Sequence, residues 1–343
     1  MVRIFFCTDI HGAESVWKKF LNAGKHLKSD VLIVGGDISG KRIIPIIEQP
    51  DGTWRGMKWD KWKNKEVIMK SKREVKDFEE YSRSIGSYTC QITPEENEKL
   101  TSPESVFIED RLSKPVKGGP LDKLFERLIS ESLHRWLDMI DDIISDGSRR
   151  VSERTKIILC TGNDDSFIVD KIINKDHRVD LGDERNIDLD DNHEMISYGW
   201  TTPTPWQSYR ETTEEIIKER IDELVSTINN IDNSIFCFHC PPYNTLLDKT
   251  LISRSKNRLI GFGSFYSIGS KSIKQAIQRY QPLLSLHGHV HKLVTVSHSP
   301  GSIMIGRTHC LNPGSEYSAN ILKGFLIDLK NNNKIVKLQK VVF

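Results

Sequence analysis

Seven side chains of the kinds that bind divalent metal ions each follow a short apolar segment of the chain. They are Asp9, His11, Asp37, Asn163, His239, His289 and His291. Oxygen ligands from Asp and Asn and imidazole nitrogens suit Mn²⁺, Fe, Zn²⁺ or Co²⁺, and the sequence does not choose among these metals. Seven ligands are too many for one ion, so their number predicts a site for two divalent ions.

A pair of metal ions is suited to hydrolysis at phosphorus. Two ions about 3.5–4 Å apart can hold both the attacking and the leaving oxygen of an in-line displacement. Because metal binding lowers the pKa of water toward neutrality, a hydroxide that bridges the ions would be the nucleophile. If one carboxylate bridges, each ion receives four protein ligands and keeps one position open for water or substrate.

The apolar segments that precede these ligands are typical of buried strands. They span residues 2–8, 30–34, 156–160, 234–238 and 282–286. Helical periodicity between them predicts helices at residues 15–27, 121–144, 213–228 and 272–280. This alternation indicates an α/β fold with parallel strands, whose carboxyl ends meet at one edge of a sheet. The ligands are therefore expected to converge at that edge.

Residues 41–120 interrupt the alternation and are predicted to be an insertion or lid within a single domain that spans residues 1–343. Two short segments, 43–47 and 54–59, flank Asp51 and Gly52, a pair that is typical of hairpin turns. The charged stretch 67–85 is expected to be helical.

A basic aromatic stretch lies inside this insertion. Between Trp54 and Lys63, three tryptophans are interspersed with four Lys or Arg residues. Such a segment could stack the bases and contact the phosphates of single-stranded nucleic acid. The preferred interpretation is a hairpin with one small apolar face packed on the core and a solvated basic face.

Composition excludes some other classes of protein. The 49 Lys and Arg nearly balance the 47 Asp and Glu, so no global basic field points to nucleic acid. No apolar stretch approaches the roughly 20 residues that span a membrane, and no signal peptide is expected, because the first ten residues run directly into Asp9-Ile-His11. The six cysteines are interpreted as buried free thiols in a reducing compartment, and Cys237 and Cys240 are only a weak zinc or redox signal. A cytoplasmic protein is expected, and the oligomeric state is not indicated.

The order and spacing of five short motifs resemble the calcineurin-like metallophosphoesterase superfamily. The motifs are Asp9-Ile-His11, Gly36-Asp37, Gly162-Asn163, His239 and Gly288-His289-Val-His291, and residues 312–315 resemble its small phosphodiesterases. This resemblance implies a four-layer αββα sandwich of two mixed β-sheets flanked by helices. It also implies a first ion held by Asp9, His11, Asp37 and His291, and a second held by Asp37, Asn163, His239 and His289.

The activity implied by the resemblance is hydrolysis of a phosphomonoester or phosphodiester, with a phosphodiesterase or nucleotide hydrolase favoured. Asp164, Asn163 and His239 are the candidate catalytic residues, and Asn163 would also orient the substrate. One alternative is a nuclease that acts on single-stranded nucleic acid. Another is a catalytically idle binding scaffold of the same fold, although all seven ligand positions hold competent side chains.

One motif departs from the family pattern. Many members have a histidine after Gly-Asn that is thought to protonate the leaving oxygen, whereas here Asp164 stands at that position. Three accounts are open: Asp164 is the acid, with its pKa raised by neighbouring carboxylates; His177 or His193 reaches in; or the substrate has a good leaving group. The structural alternative is that Asp164 caps a helix that begins near Ser166.

Overall fold

Two six-stranded sheets with helices on their outer faces form the centre of the fold. The computed structural model describes residues 1–58, 64–101, 119–144, 155–251, 265–292, 301–330 and 334–343. In chain order, its elements are β1 (Val2–Cys7), α1 (Glu14–Leu27), β2 (Val31–Gly35), β3 (Arg42–Glu48), β4 (Trp54–Lys58), β5 (Lys65–Met69), α2 (Lys72–Ser84), β6 (Ser87–Ile92), α3 (Pro94–Thr101), α4 (Pro120–Ile144), β7 (Lys156–Cys160), α5 (Ile168–Ile173), β8 (Asp180–Leu181), β9 (Asn186–Asp188), β10 (Glu194–Tyr198), α6 (Glu214–Val225), β11 (Ile235–Phe238), β12 (Lys249–Leu251), β13 (Phe265–Ser267), α7 (Lys271–Tyr280), β14 (Leu284–Leu286), β15 (Ser302–Ile305), β16 (Thr308–Leu311), β17 (Lys323–Lys330) and β18 (Lys334–Val342).

The first sheet has the strand order β18-β17-β1-β2-β7-β8. β1, β2, β7 and β8 run parallel, whereas β17 and β18 are antiparallel additions at one side. In the register, Ile4 lies opposite Val31, and Val31 lies opposite Lys156. The four parallel strands therefore end at the same edge, where the loops that follow β1, β2 and β7 begin.

The second sheet has the strand order β15-β16-β14-β11-β10-β9. β16, β14, β11 and β10 are parallel, and an antiparallel strand closes each side. Both sheets are thus mixed, as predicted.

Alternation along the strands explains why these sheets stack with helices outside. In β1, Phe5 and Cys7 pack on the cluster that contains α1, α4 and α5, whereas Ile4 and Phe6 face the second sheet. The outer face of the second sheet packs on α6 and α7 through residues such as Phe236. Successive side chains of a strand point to opposite faces, so a strand buried on both sides is apolar throughout. The predicted αββα sandwich is confirmed.

Residues 42–92 form a separate four-stranded sheet with the order β5-β4-β3-β6. The predicted hairpin is confirmed, since Ile47 of β3 lies opposite Arg55 of β4. The predicted helix over 67–85 is partly wrong, because β5 pairs with β4 and α2 begins only at Lys72. The part of β5 inside this range is Val67-Ile68-Met69, and so short an apolar run does not distinguish a strand from a helix by periodicity. The role of the insertion as a lid and the single-domain organisation stay predictions.

The basic aromatic stretch is only partly described. Trp54 packs against the small apolar cluster of the insertion, which includes Ile46 and Phe78. Lys58 Nζ lies 4.3 Å from the centroid of the Tyr81 ring. The hairpin thus has a packed apolar face, as in the preferred interpretation, but that face packs on the insertion's own cluster rather than on the main core. Trp59 and Trp62 lie outside the described residues.

The insertion contacts the main core through Tyr88. Its buried ring belongs to the cluster around α1 and α4 and meets the ring of Phe125 edge-on at 5.7 Å. All six cysteines are buried free thiols, as predicted. Among the helices that the structure describes, none has the length and apolar character needed to cross a membrane.

Candidate metal centre

The structure brings the predicted ligands together at the carboxyl ends of the parallel strands. Asp9, His11, Asp37 and His291 each offer one ligand atom, and these atoms all lie within 4.8 Å of one another. His291 Nε2 lies 2.9 Å from His11 Nε2 and 3.1 Å from Asp9 Oδ1. His11 Nε2 also lies 3.4 Å from Asp37 Oδ2. The four side chains thus surround one small space.

The remaining three predicted ligands continue this cluster on the other side of Asp37. His239 Nε2 lies 3.5 Å from Asp37 Oδ2. The rings of His239 and His289 are 5.6 Å apart between centroids, and His289 Nδ1 lies 2.8 Å from Asn163 Oδ1. Asp37 therefore lies between the two groups, where a bridging carboxylate was expected.

Four of these seven residues have positive φ angles, which are unfavourable for residues that carry a side chain. The φ angles are 54° at Asp9, 43° at His11, 52° at Asp37 and 64° at His289. The left-handed region costs a residue with a side chain about 1–2 kcal/mol. Main-chain hydrogen bonds hold the geometry, including Asp9 N to Gly36 O and His11 N to Asp37 O, both at 2.9 Å. Strain concentrated in this way is typical of functional sites.

Burial and mutual attraction shape the charges of the cluster. Burial raises the pKa of Asp9, but the imidazoles of His291 and His239 outweigh it and hold that pKa below its usual range. Burial lowers the pKa of His239, but Asp37 and Asp9 outweigh it and raise that pKa to about 10. Burial, with His239 nearby, lowers the pKa of His289 to about 4. The carboxylates thus attract positive charge, which a divalent ion would supply.

Two buried imidazole nitrogens bear on whether metal ions fit this cluster. Among the described residues, the Nε2 atoms of His239 and His289 have no hydrogen-bond partner. A buried polar atom without a partner costs about 1–3 kcal/mol. His239 Nε2 lies 3.5 Å from Asp37 Oδ2, so an ion bound beside Asp37 would satisfy it. The donor set of imidazole, carboxylate and amide groups therefore fits divalent ions.

A buried carboxylate that the sequence analysis did not assign holds two site loops together. Asp165 accepts hydrogen bonds from the main-chain nitrogens of Ile38 at 3.0 Å, Ser39 at 2.7 Å and Gly162 at 2.9 Å. Burial and the nearby charge of Asp37 raise the pKa of Asp165 to about 6. The loop after β2 is thereby fixed to the loop after β7.

Asp164 does not cap a helix, so that interpretation is wrong. Helix α5 begins at Ile168, and its N-cap residue, Phe167, makes no side-chain capping bond. Asp164 instead accepts hydrogen bonds from Ser208 Oγ at 2.8 Å and Asn163 Nδ2 at 3.1 Å, and it forms an ion pair with Lys41. Each of these partners is a donor, so the contacts favour a carboxylate that accepts rather than an acid that donates. The role of Asp164 as the general acid stays a prediction without support from these contacts.

The alternative histidines lie toward the opposite edge of the sheets. His193 immediately precedes β10, and its Nδ1 lies 2.8 Å from Asp190 Oδ1. His177 precedes β8, which is parallel to β7. Because the site follows the carboxyl ends of the parallel strands, neither histidine is placed to reach it. His287 is buried beside the site, but both of its ring nitrogens are hydrogen-bonded, Nδ1 to Phe238 O and Nε2 to Ser285 Oγ.

Lys41 is the functional candidate that the sequence analysis missed. Its Nζ contacts Asp164 and lies 3.7 Å from Asp37 Oδ2. Lys41 follows the Gly36-Asp37 motif by four residues in an irregular loop. Neither periodicity nor a metal-ligand residue type marks it, and only the tertiary contact reveals its position.

Comparison with known proteins gives distant relationships. No family model matches the chain. An uncharacterized protein of Methanocaldococcus jannaschii, MJ1162, is 24% identical over 184 residues, which are 53% of this chain and 72% of that protein.

Solved structures resemble the fold at low identity. One aligns with 15% identity and a TM-score of 0.55 over 98% of both chains. TT1561 of Thermus thermophilus aligns with 11% identity and a TM-score of 0.49, over 99% of this chain and 98% of its own. A 5'-nucleotidase precursor from the same organism has 8% identity and a TM-score of 0.36, over 99% of this chain and 54% of its own. The first likeness supports the fold alone, and the other two are too distant to support an argument.

Proposed function

We propose that this chain is a dinuclear metal-dependent phosphoesterase. The observation that supports it best is the arrangement of the predicted ligands: Asp9, His11 and His291 cluster with Asp37, and His239 Nε2, which lacks a hydrogen-bond partner among the described residues, lies 3.5 Å from Asp37 Oδ2. His289 and Asn163 contact each other at 2.8 Å beside His239. A binding scaffold has no need to assemble these groups or to accept the backbone strain at four of them.

The assignment of ligands follows from the two halves of the cluster. Asp9, His11 and His291 would hold the first ion, and Asn163, His239 and His289 the second, with Asp37 shared between them. Two divalent ions supply charge neutralisation at the phosphoryl group and a water of lowered pKa. In the reaction, a bond forms between the water oxygen and phosphorus, the bond from phosphorus to the leaving oxygen breaks, and that oxygen takes up a proton.

The chain's own residues orient the site. His239 Nδ1 donates to Gly35 O at 2.9 Å, which turns Nε2 toward Asp37. Asn163 Nδ2 donates to Ser208 Oγ at 2.9 Å, which leaves Asn163 Oδ1 facing His289. Such supporting hydrogen bonds fix the tautomer and direction of each ligand. A phosphodiester or nucleotide is the favoured substrate class, on the resemblance of the sequence motifs.

Hydrolysis of bis-p-nitrophenyl phosphate and p-nitrophenyl phosphate by Mn²⁺-loaded protein tests this proposal. We expect metal-dependent hydrolysis by the wild type and a loss of about 10³-fold in Asp37→Asn, since a group worth several kcal/mol to the transition state is removed. Asp142→Asn, on the exposed face of α4, is the matched control and should hydrolyse at the wild-type rate. Wild-type hydrolysis by Asp37→Asn would overturn the proposal.

A further inference from the structure

Lys41 places a positive charge beside the shared carboxylate of the candidate metal centre. Its Nζ forms an ion pair with Asp164 and lies 3.7 Å from Asp37 Oδ2, with the lysine side chain only 13% exposed. The Asp164 side chain is 19% exposed. Both charged groups are thus partly buried but still reach solvent.

The main chain next to Lys41 is fixed from two directions. Ser39 donates through its main-chain nitrogen and its hydroxyl to Asp165, at 2.7 Å in both cases. Gly40 N donates to the hydroxyl oxygen of Tyr88 at 2.8 Å, and Tyr88 belongs to the insertion. The loop that carries Lys41 is therefore held on one side by the loop that follows β7 and on the other side by β6.

Asp164 is held just as firmly. Its main-chain nitrogen donates to Asp37 Oδ1 at 2.9 Å, and its carboxylate accepts from Ser208 Oγ and Asn163 Nδ2. The carboxylate thus offers Lys41 a fixed partner. Holding a long lysine side chain in one position costs conformational entropy. That cost is offset if the fixed ammonium group binds the substrate.

We propose that Lys41 binds the phosphoryl group of the substrate and that Asp164 positions Lys41 for it. The inference rests on the proposed function. During in-line displacement, negative charge spreads over the phosphoryl oxygens and the leaving oxygen, and a fixed cation in a partly enclosed site stabilises it. Lys41 keeps its protons, and the leaving oxygen takes its proton from solvent. The structural alternative is an ion pair that only offsets the charges of Asp37 and Asp164.

Kinetics of Lys41→Met and Lys41→Arg with Mn²⁺ and bis-p-nitrophenyl phosphate separate these roles. We expect kcat to fall about 10²-fold or more in Lys41→Met, as when one charge-stabilising donor is removed, and to recover in part in Lys41→Arg. Inorganic phosphate should inhibit Lys41→Met more weakly, while Mn²⁺ affinity by calorimetry stays unchanged. Lys218→Met is the matched control, because Lys218 pairs with Asp222 at 2.8 Å on the exposed surface of α6.

A double-mutant cycle tests the positioning role of Asp164. Asp164→Asn should lower kcat in the wild-type background and add little in the Lys41→Met background, because its effect passes through Lys41. Asp164→Glu should restore part of the activity. Independent, additive losses would overturn the positioning role.

Two results would count against the inference in different ways. Wild-type kcat and wild-type phosphate inhibition in Lys41→Met would overturn the role of Lys41 and leave the proposed function intact. No metal-dependent hydrolysis by the wild type would overturn both. Lys41→Gln, which keeps a polar side chain, gives the same comparison if Lys41→Met fails to fold by circular dichroism.

Discussion

The Nδ1 atom of His239 donates a hydrogen bond to the main-chain oxygen of Gly35, 2.9 Å away. A carbonyl oxygen only accepts, so this contact fixes the proton on Nδ1. Nε2 is then directed toward Asp37 Oδ2 at 3.5 Å, on the inside of the cluster. Because Gly35 ends β2 and His239 follows β11, the contact also joins the two sheets at the edge where the ligands meet. One hydrogen bond thus couples the sandwich to the geometry of the site.

His239→Ala should remove one of two bound ions. The group formed by Asp9, His11, Asp37 and His291 stays complete in this variant, whereas the second group loses a ligand. We expect metal content after desalting to fall from two equivalents to one, with most of the activity lost. His134→Ala, on the exposed face of α4, is the control and should keep both ions. Two retained equivalents in His239→Ala would show that this residue is not a ligand.

Gly288→Ala should disturb the site by a steric clash, without removing a metal ligand. A Cβ atom at Gly288 would lie 2.1 Å from Thr8 Oγ1 and 2.5 Å from Asp9 Oδ2. We expect a loss of about 1–3 kcal/mol of stability and weaker metal binding, since the added atom displaces Asp9. Gly52→Ala is the control, because a Cβ there meets nothing within 4 Å, although its φ of +77° also strains the backbone.

The two glycine variants are compared by urea denaturation and by calorimetry with Mn²⁺. Both should unfold at lower urea than the wild type, but only Gly288→Ala should bind the metal more weakly. Equal metal affinity in the two variants would contradict the close packing inferred around Asp9.

Asp183 should make stability fall as pH rises from about 4 to 7. Its buried carboxylate accepts from Thr161 Oγ1 at 2.7 Å and Gly199 N at 2.6 Å, and burial raises its pKa to about 6 despite the nearby charge of Arg210. The folded state therefore keeps a proton that the unfolded chain loses near pH 4. This contribution is present at low pH and is lost as pH passes 6.

Comparison with Asp183→Asn isolates this contribution. The free energy of unfolding of the wild type, relative to the variant, should fall by up to about 3 kcal/mol between pH 4 and pH 7. Urea denaturation at a series of pH values measures it. A difference that stays flat over this range would contradict the raised pKa of Asp183.

The placement of the ligands was predictable because simple geometry determines it. Asp9, Asp37 and Asn163 follow three strands that the register shows to be parallel neighbours, so they share an edge. Apolar runs marked those strands, and a residue of metal-ligand type followed each one. The sheet order and the stacking of the second sheet brought His239 and His289 to the same place. These last relationships came from the resemblance of the motifs rather than from periodicity.

Other parts of the site could not be predicted from the sequence, since they depend on contacts between distant loops. Lys41, Ser208 and Asp165 are ordinary polar residues in irregular segments, and nothing in their spacing indicates a shared site. β5 was missed for a related reason. Its part inside the predicted helix is the short apolar run Val67-Ile68-Met69, and only pairing with β4 makes it a strand.

Titration of metal-stripped wild-type protein with Mn²⁺, followed by calorimetry and by hydrolysis of bis-p-nitrophenyl phosphate in the same samples, tests the two-metal phosphoesterase most directly. We expect no hydrolysis without metal, uptake of two equivalents, and hydrolysis that rises as the second equivalent binds. Failure to bind Mn²⁺, or equal hydrolysis in the presence of excess chelator, would contradict the proposal.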